Sequence, residues 1–211
     1  MSRVLSDPTD FCRLYLFRHP ELSQDHQNAA VGAGAAELSR RGRATVLEWR
    51  ALLDGVELDA VVTSPQPQCL EPAQALVQDR ELEVTVEERL RDQELGEWQG
   101  QSWEQVAKAD GERVRRFFQE FGESPAPGGE SLGQTVERVI GWWTESAPRL
   151  AGKSLALVLA EGPLTGFTAA LLGMRLSRCF SLRMPPGALG VLDVYENGVQ
   201  LAAWNATALQ S

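Results

Sequence analysis

Histidine is scarce in this chain, which has only two among 211 residues, His19 and His26. His19 follows the run "CRLYLF" at residues 12–17 and sits between Arg18 and Pro20. The run reads as a strand, and proline stops its ladder, so the Arg-His pair falls at the strand's C-terminal end. Nucleophilic or acid–base work would fall to His19, and a mechanism needing a second histidine must use His26 or do without. Equally, a histidine after a strand can be a hydrogen-bonded core residue, and His26 reads as a solvated loop residue. Two further strands end in polar groups, at Ser64-Pro65 and Glu161-Gly162. In open α/β sheets ligands bind beyond the carboxyl ends of parallel strands, so these three ends are expected to surround one pocket.

The elements that must carry those ends alternate. After the first strand and a Gly/Ala-rich loop, Ser39 reads as the N-cap of a helix through "RRGRATVLEWRALLDG", with Val46, Leu47, Trp49, Leu52 and Leu53 as its apolar stripe and Gly55 as its stop. A strand "LDAVVTS", a helix "PQCLEPAQALVQD" and a short strand "LEVTVEE" follow. This β-α-β-α-β order predicts a three-layer α/β/α fold, its mainly parallel sheet covered by helices on both faces. The middle reads as a helical insertion, "SWEQVAKADGERVRRFFQEFG", interrupted at Gly111 and followed by the turn cluster "ESPAPGGES". Ser131 opens another helix. "SLALVLA" is apolar throughout, as a strand buried on both faces should be, and is followed by the helix "LTGFTAALLG". The chain closes with a hairpin signal at Asn197-Gly198. Trp98, Trp103, Trp142 and Trp143 are expected to pack the core or cap it rather than to form a ligand cage. "VGAGAAE" is read as a loop and not as a nucleotide cradle.

Bulk properties restrict the partners. With 43% hydrophobic residues the chain can build one sizeable core, and residues 1–211 are read as a single domain with 1–10 as a loose N-terminal tail. A net charge of −9 argues against nucleic acid, whose phosphates are bound by clustered Lys and Arg. Cys12, Cys69 and Cys179 match neither a disulfide framework nor a zinc site, and are expected to be reduced and buried. No run reaches about 18 apolar residues, so no membrane span is expected, and a cytoplasmic location is. No metal and no cofactor is expected. The sequence leaves the oligomeric state open.

Seven segments, in order, resemble those of the histidine phosphatase superfamily, which includes cofactor-dependent phosphoglycerate mutases, α-ribazole phosphatases and broad-specificity phosphatases. "LFRHPELS" is similar to that family's Leu-Val-Arg-His-Gly-Glu-Thr signature, and "LSRRGRATV", "VVTSPQPQCLEPAQAL" and "LRDQELGEWQGQSWEQV" follow its later motifs. "PGGES" is shared outright. "LALVLAEGPLTGFTAALLG" stands where the family has Val-Val-Ser-His-Gly-Gly, and "LAAWNATAL" resembles its closing segment. The resemblance spans residues 12 to about 208 and implies a phosphoglycerate mutase-like fold and hydrolase chemistry. In that chemistry a histidine takes up the phosphoryl group, two arginines and a second histidine hold its oxygens, and a carboxyl group protonates the leaving group.

Transferred position by position, the resemblance makes His19 the nucleophile, Arg18 a phosphate anchor and Asp92 the proton donor. The other positions depart from the family's pattern. Gln68 stands where the second arginine belongs, and Glu161 where the second histidine belongs. Pro20, Leu22 and Asp25 replace the family's glycine, threonine and asparagine. Arg18 is therefore open to two partners, a phosphate or a carboxylate such as Glu161 or Asp92. Asp92 is equally readable as a turn cap, and Glu161 as an acidic helix-start residue favoured by the dipole. Two functions follow. One is a member of the family with an impaired phosphate pocket that binds a small phosphorylated or other small-molecule ligand, or a protein partner. The other is a working phosphomonoesterase in which Arg89, Arg91 or Arg183 compensates.

Overall fold

A computed structural model describes residues 11–120 and 122–206. The proposed tail at 1–10 lies outside the described residues. Six strands form one sheet in the order β3-β2-β4-β1-β5-β6. They are β1 (Phe11–Arg18), β2 (Ala60–Thr63), β3 (Val84–Val86), β4 (Ser154–Leu159), β5 (Leu189–Tyr195) and β6 (Gly198–Ala206). The pairs β1–β4, β4–β2 and β2–β3 are parallel, while β5 runs antiparallel to both β1 and β6. The sheet is mainly parallel as the alternation predicts. It is a mixed sheet because the closing hairpin adds the one reversed strand.

Alternation along β1 sends its side chains to two separate cores. Leu14 and Leu16 pack with Val139, Trp142, Leu164 and Phe167 on one face. These belong to α4 (Leu132–Ser146) and α5 (Glu161–Leu171). Tyr15 and Phe17 pack on the other face with Val46, Trp49, Cys69 and Leu76, from α1 (Arg40–Leu52) and α2 (Pro67–Leu76). With helices on both faces, the parallel strands need apolar side chains throughout, and Leu155 to Leu159 are buried without exception.

Local signals start α1 and α4 where the sequence predicts. The Ser39 hydroxyl accepts from the Gly42 amide, and Ser131 forms a full capping box with Gln134. The predicted stripe on α1 is too wide, because Leu47 is 65% exposed. Val46, Trp49 and Leu53 lie at i, i+3 and i+7 on the buried face, and Leu47 stands about 100° away from Val46 around the helix. The hairpin also turns one residue early. Tyr195 pairs with Gly198, so Glu196-Asn197 form the two-residue loop and Gly198 begins β6. Cys12, Cys69 and Cys179 are buried free thiols, and burial pushes Cys12 and Cys69 up to about 12. No described helix is long and apolar enough to cross a membrane.

The insertion is a folded-back helix. In α3 (Trp103–Gln119), Asp110 has φ −144° and ψ 51°, outside the helical region and one residue before the predicted break at Gly111. A straight helix would separate residues 103 and 117 by about 21 Å. Here the Trp103 and Phe117 rings lie 6.4 Å apart. Val106 from the first half and Val114 and Phe117 from the second pack with Leu95 and Trp98 in a small core of their own.

Candidate active site

Two of the three strand ends, Arg18-His19 and Glu161-Gly162, line one cleft, whereas Ser64-Pro65, the end of β2, does not reach its lining. The cleft volume is about 410 Å3, and Arg18, His19, Asp92 and Glu161 all line it. His19 is 8% exposed, and its backbone amide donates to the Leu159 carbonyl at 2.9 Å, tying the end of β1 to the end of β4. The His19 Nδ1 lies 2.9 Å from the Pro20 carbonyl oxygen. A carbonyl can only accept, so Nδ1 carries the proton and the Nε2 lone pair is left available. Burial, opposed by that hydrogen bond and reinforced by Arg18, pulls the imidazole down to about 4. At neutral pH His19 is therefore an uncharged base with its reactive nitrogen defined.

Asp92 reaches the cleft from the loop after β3. Its Oδ1 accepts from the Gln93 amide at 2.8 Å, the local capping that the sequence also allows. Burial is the largest influence on it and raises the carboxyl to about 6, against the opposing pull of Arg138 and Arg18. The loop is held from behind: Arg138 donates to the Asp92 carbonyl at 2.9 Å and to the Arg89 carbonyl at 2.6 Å. Arg138 also pairs with Glu130, the acidic residue of "PGGES". The two segments cross so closely that only glycine fits. A Cβ on Gly129 would meet the Glu94 carbonyl oxygen at 2.2 Å, and one on Gly96 (φ 51°) the Pro127 carbonyl oxygen at 2.1 Å. That contact is a physical reason for the shared segment.

The anion-holding positions are arranged differently. Arg18 Nη1 is 2.9 Å from Glu161 Oε1 and donates to the Met184 carbonyl at 2.6 Å. Glu161 is thus one of the carboxylates the sequence leaves open as a partner for Arg18. Burial lowers the guanidinium, while Glu161 and Asp92 raise it. Its Nε is buried without a partner among the described residues. Glu161 opens α5, three residues earlier than the predicted "LTGFTAALLG", in the first turn where the dipole favours an acid. Gln68 does not line the cleft. It is 2% exposed, accepts from the Ala36 amide and donates to the Gly34 carbonyl, both at 3.0 Å. The glutamine staples the Gly/Ala-rich loop to α2.

The candidate compensating arginines divide. Arg89 is committed to Glu87 and Glu145, and Arg91 to Glu130 and Glu94. Neither lines the cleft, whereas Arg183 is close enough for its charge to act on Arg18. His26 is half-buried, bonded to Ser23 Oγ at 2.9 Å, and lines the cleft, so it is more than a solvated loop residue. Trp98, Trp142 and Trp143 are core residues as expected. Trp103 packs against Trp98 but also lines the cleft, together with Phe117, Phe118 and Phe180. The sequence reading missed these aromatic walls because the helical insertion brings them over the sheet only by folding back at Asp110.

A buried histidine, an arginine and a carboxyl group thus line one cleft at the strand ends of an α/β fold. The family model described as histidine phosphatase superfamily (branch 1) matches residues 14–207. The chain belongs to that family. It is 27% identical over 92% of both chains to phosphoserine phosphatase 1 of Hydrogenobacter thermophilus. It is 24% identical, over 93% of this chain and 97% of the other, to the adenosylcobalamin/α-ribazole phosphatase of Escherichia coli. The crystal structure of the α-ribazole phosphatase from Shigella flexneri superimposes with a TM-score of 0.86 at 22% identity, covering 94% of this chain and 98% of that one. That likeness establishes the phosphoglycerate mutase-like fold.

Proposed function

We propose that this member of the histidine phosphatase family hydrolyses phosphomonoesters weakly and acts mainly by binding a small ligand in the cleft above His19. One observation carries the reading: the Arg18 guanidinium, the one phosphate anchor retained, is paired with Glu161 at 2.9 Å. An incoming phosphate must displace that carboxylate or sit beside it. Two like charges about 4 Å apart cost about 4 kcal/mol at an effective dielectric of about 20. A glutamine at position 68, turned to the loop, also leaves out a charge-assisted contact worth about 1.5–3 kcal/mol. Phosphoryl transfer depends on positive charge around the equatorial oxygens, so both changes act in the same direction.

A second reading, an active phosphomonoesterase, has its own support. His19 is neutral with Nε2 available, Asp92 titrates near 6 as a leaving-group acid needs to, and Arg18 retains an Nε unpaired among the described residues. In this reading Asp92 donates from its protonated form, so turnover falls as pH rises through about 6. The test is hydrolysis of p-nitrophenyl phosphate from pH 4 to 8 by the natural protein and by His19→Ala. A natural-protein rate only marginally above that of His19→Ala is expected. Rapid turnover abolished by His19→Ala would establish the second reading.

A further inference from the structure

Resting on the reading that Glu161 neutralises Arg18, we infer that the cleft binds a small organic cation with an apolar, flat body, its ammonium group on the floor and its body between the aromatic walls. The cleft is large enough for such a molecule, at about 410 Å3. Among the described residues that line it, Arg18 is the single Lys or Arg, set against two carboxylates, Asp92 and Glu161. Arg18 is engaged at Nη1 by both Glu161 and the Met184 carbonyl. Even with the charge of Arg183 acting from outside the lining, the cleft offers acceptors in the Glu161 carboxylate, the remaining Asp92 oxygen and the Nε2 lone pair of His19. A primary ammonium has three N–H donors and no acceptor, which matches that set. A phosphate group, all acceptors and negative, does not.

The walls select the body of the ligand. Trp103, Phe117 and Phe118 form a continuous aromatic group, with ring centroids 5.4 Å apart for Trp103 and Phe118 and 5.2 Å for Phe117 and Phe118. Phe180, from the segment after α5, lines the same cleft. Phe118 is 48% exposed and Phe180 39%. Aromatic faces attract cations as well as apolar groups, so walls and floor favour the same sign of charge.

The experiment is calorimetric titration at pH 7.5 with three probes of similar size: phenethylamine, phenethyl alcohol and phenyl phosphate. Phenethylamine is expected to bind the natural protein at least tenfold more tightly than either of the others. Phe118→Ala, a change at an exposed ring, is expected to weaken the amine at least fivefold. Glu161→Gln should abolish the preference for the amine and bring phenyl phosphate to equal or greater affinity, since it removes one carboxylate and releases Arg18. Tighter binding of phenyl phosphate or of the alcohol by the natural protein, or no binding of the amine at millimolar concentration, overturns the inference. Rapid release of phenol from phenyl phosphate, measured in the same samples and lost in His19→Ala, would instead overturn the functional reading on which it rests.

Discussion

Two halves of the same cleft are built on different principles. The half containing His19 and Asp92 is set by backbone: a carbonyl fixes the imidazole tautomer, an amide holds Asp92 Oδ1, and Arg138 grips the carbonyls of the Asp92 loop. The half that would hold an anion depends on side-chain identity alone, and there Glu161 and Gln68 form other contacts. Backbone-set geometry persists as long as the fold does. Side-chain charge can be changed by one substitution without disturbing the strands, because the first turn of α5 readily accommodates an acid.

The largest expected effect separates the two halves directly. Glu161→His removes the carboxylate from Arg18 and supplies a donor. If the His19 half is intact, relief of a repulsion of about 4 kcal/mol raises phosphomonoesterase kcat/KM by roughly a hundred- to a thousandfold. Gln68→Arg alone should give the smaller gain. It forfeits the acceptance from the buried Ala36 amide, at about 1–3 kcal/mol of stability, visible as a lower urea midpoint. Should Gln68→Arg prove the larger activator, the missing guanidinium and not the carboxylate is the impairment. No gain from either would put the fault in the half taken here to be intact.

The next effect reads the backbone-set half through pH. Asp92 is raised to about 6 in the fold, so the folded state binds the extra proton between about 3.8 and 6, and stability contributed there rises as pH falls. His19 is depressed to about 4, so the unfolded state binds the extra proton between about 6.5 and 4, and stability falls with pH over that window. The two slopes oppose each other, each by at most about 1.4 kcal/mol per pH unit. Asp92→Asn should therefore steepen the loss of stability from pH 6 to 4, and His19→Gln should flatten it, in urea titrations at fixed pH. Identical slopes in the natural protein and both variants would mean that neither group is as buried as its contacts imply.

Much of this was legible in sequence. Proline and polar residues at strand ends marked His19 and Glu161, and the parallel-sheet rule brought them together. The contact-making choices were not. Nothing local tells that Gln68 turns to Gly34 and Ala36, since that depends on where the Gly/Ala-rich loop lies. The aromatic walls depend on the fold-back at Asp110, and a helical pattern running through residues 103–119 gives no sign that its ends meet. Leu47 misled for a simpler reason: an apolar residue beside a buried one need not share its face.

The smallest effect tests whether the backbone-set half is as independent of its surroundings as its bonds suggest. Ser39 caps α1 through the Gly42 amide and also reaches the segment after His19, its amide donating to the Glu21 carbonyl at 2.9 Å and its hydroxyl to Glu21 Oε1 at 2.7 Å. Ser39→Ala should cost about 1 kcal/mol through the lost cap. It keeps the backbone bond to Glu21, and the ties of His19 to Leu159 and Pro20 do not pass through the hydroxyl. The imidazole, followed by NMR, should accordingly still titrate near 4 in the variant. A rise toward its ordinary value would show that the loop from Pro20 to Glu21 depends on the α1 cap for its closure over His19, and that the environment of His19 is set by a side chain after all.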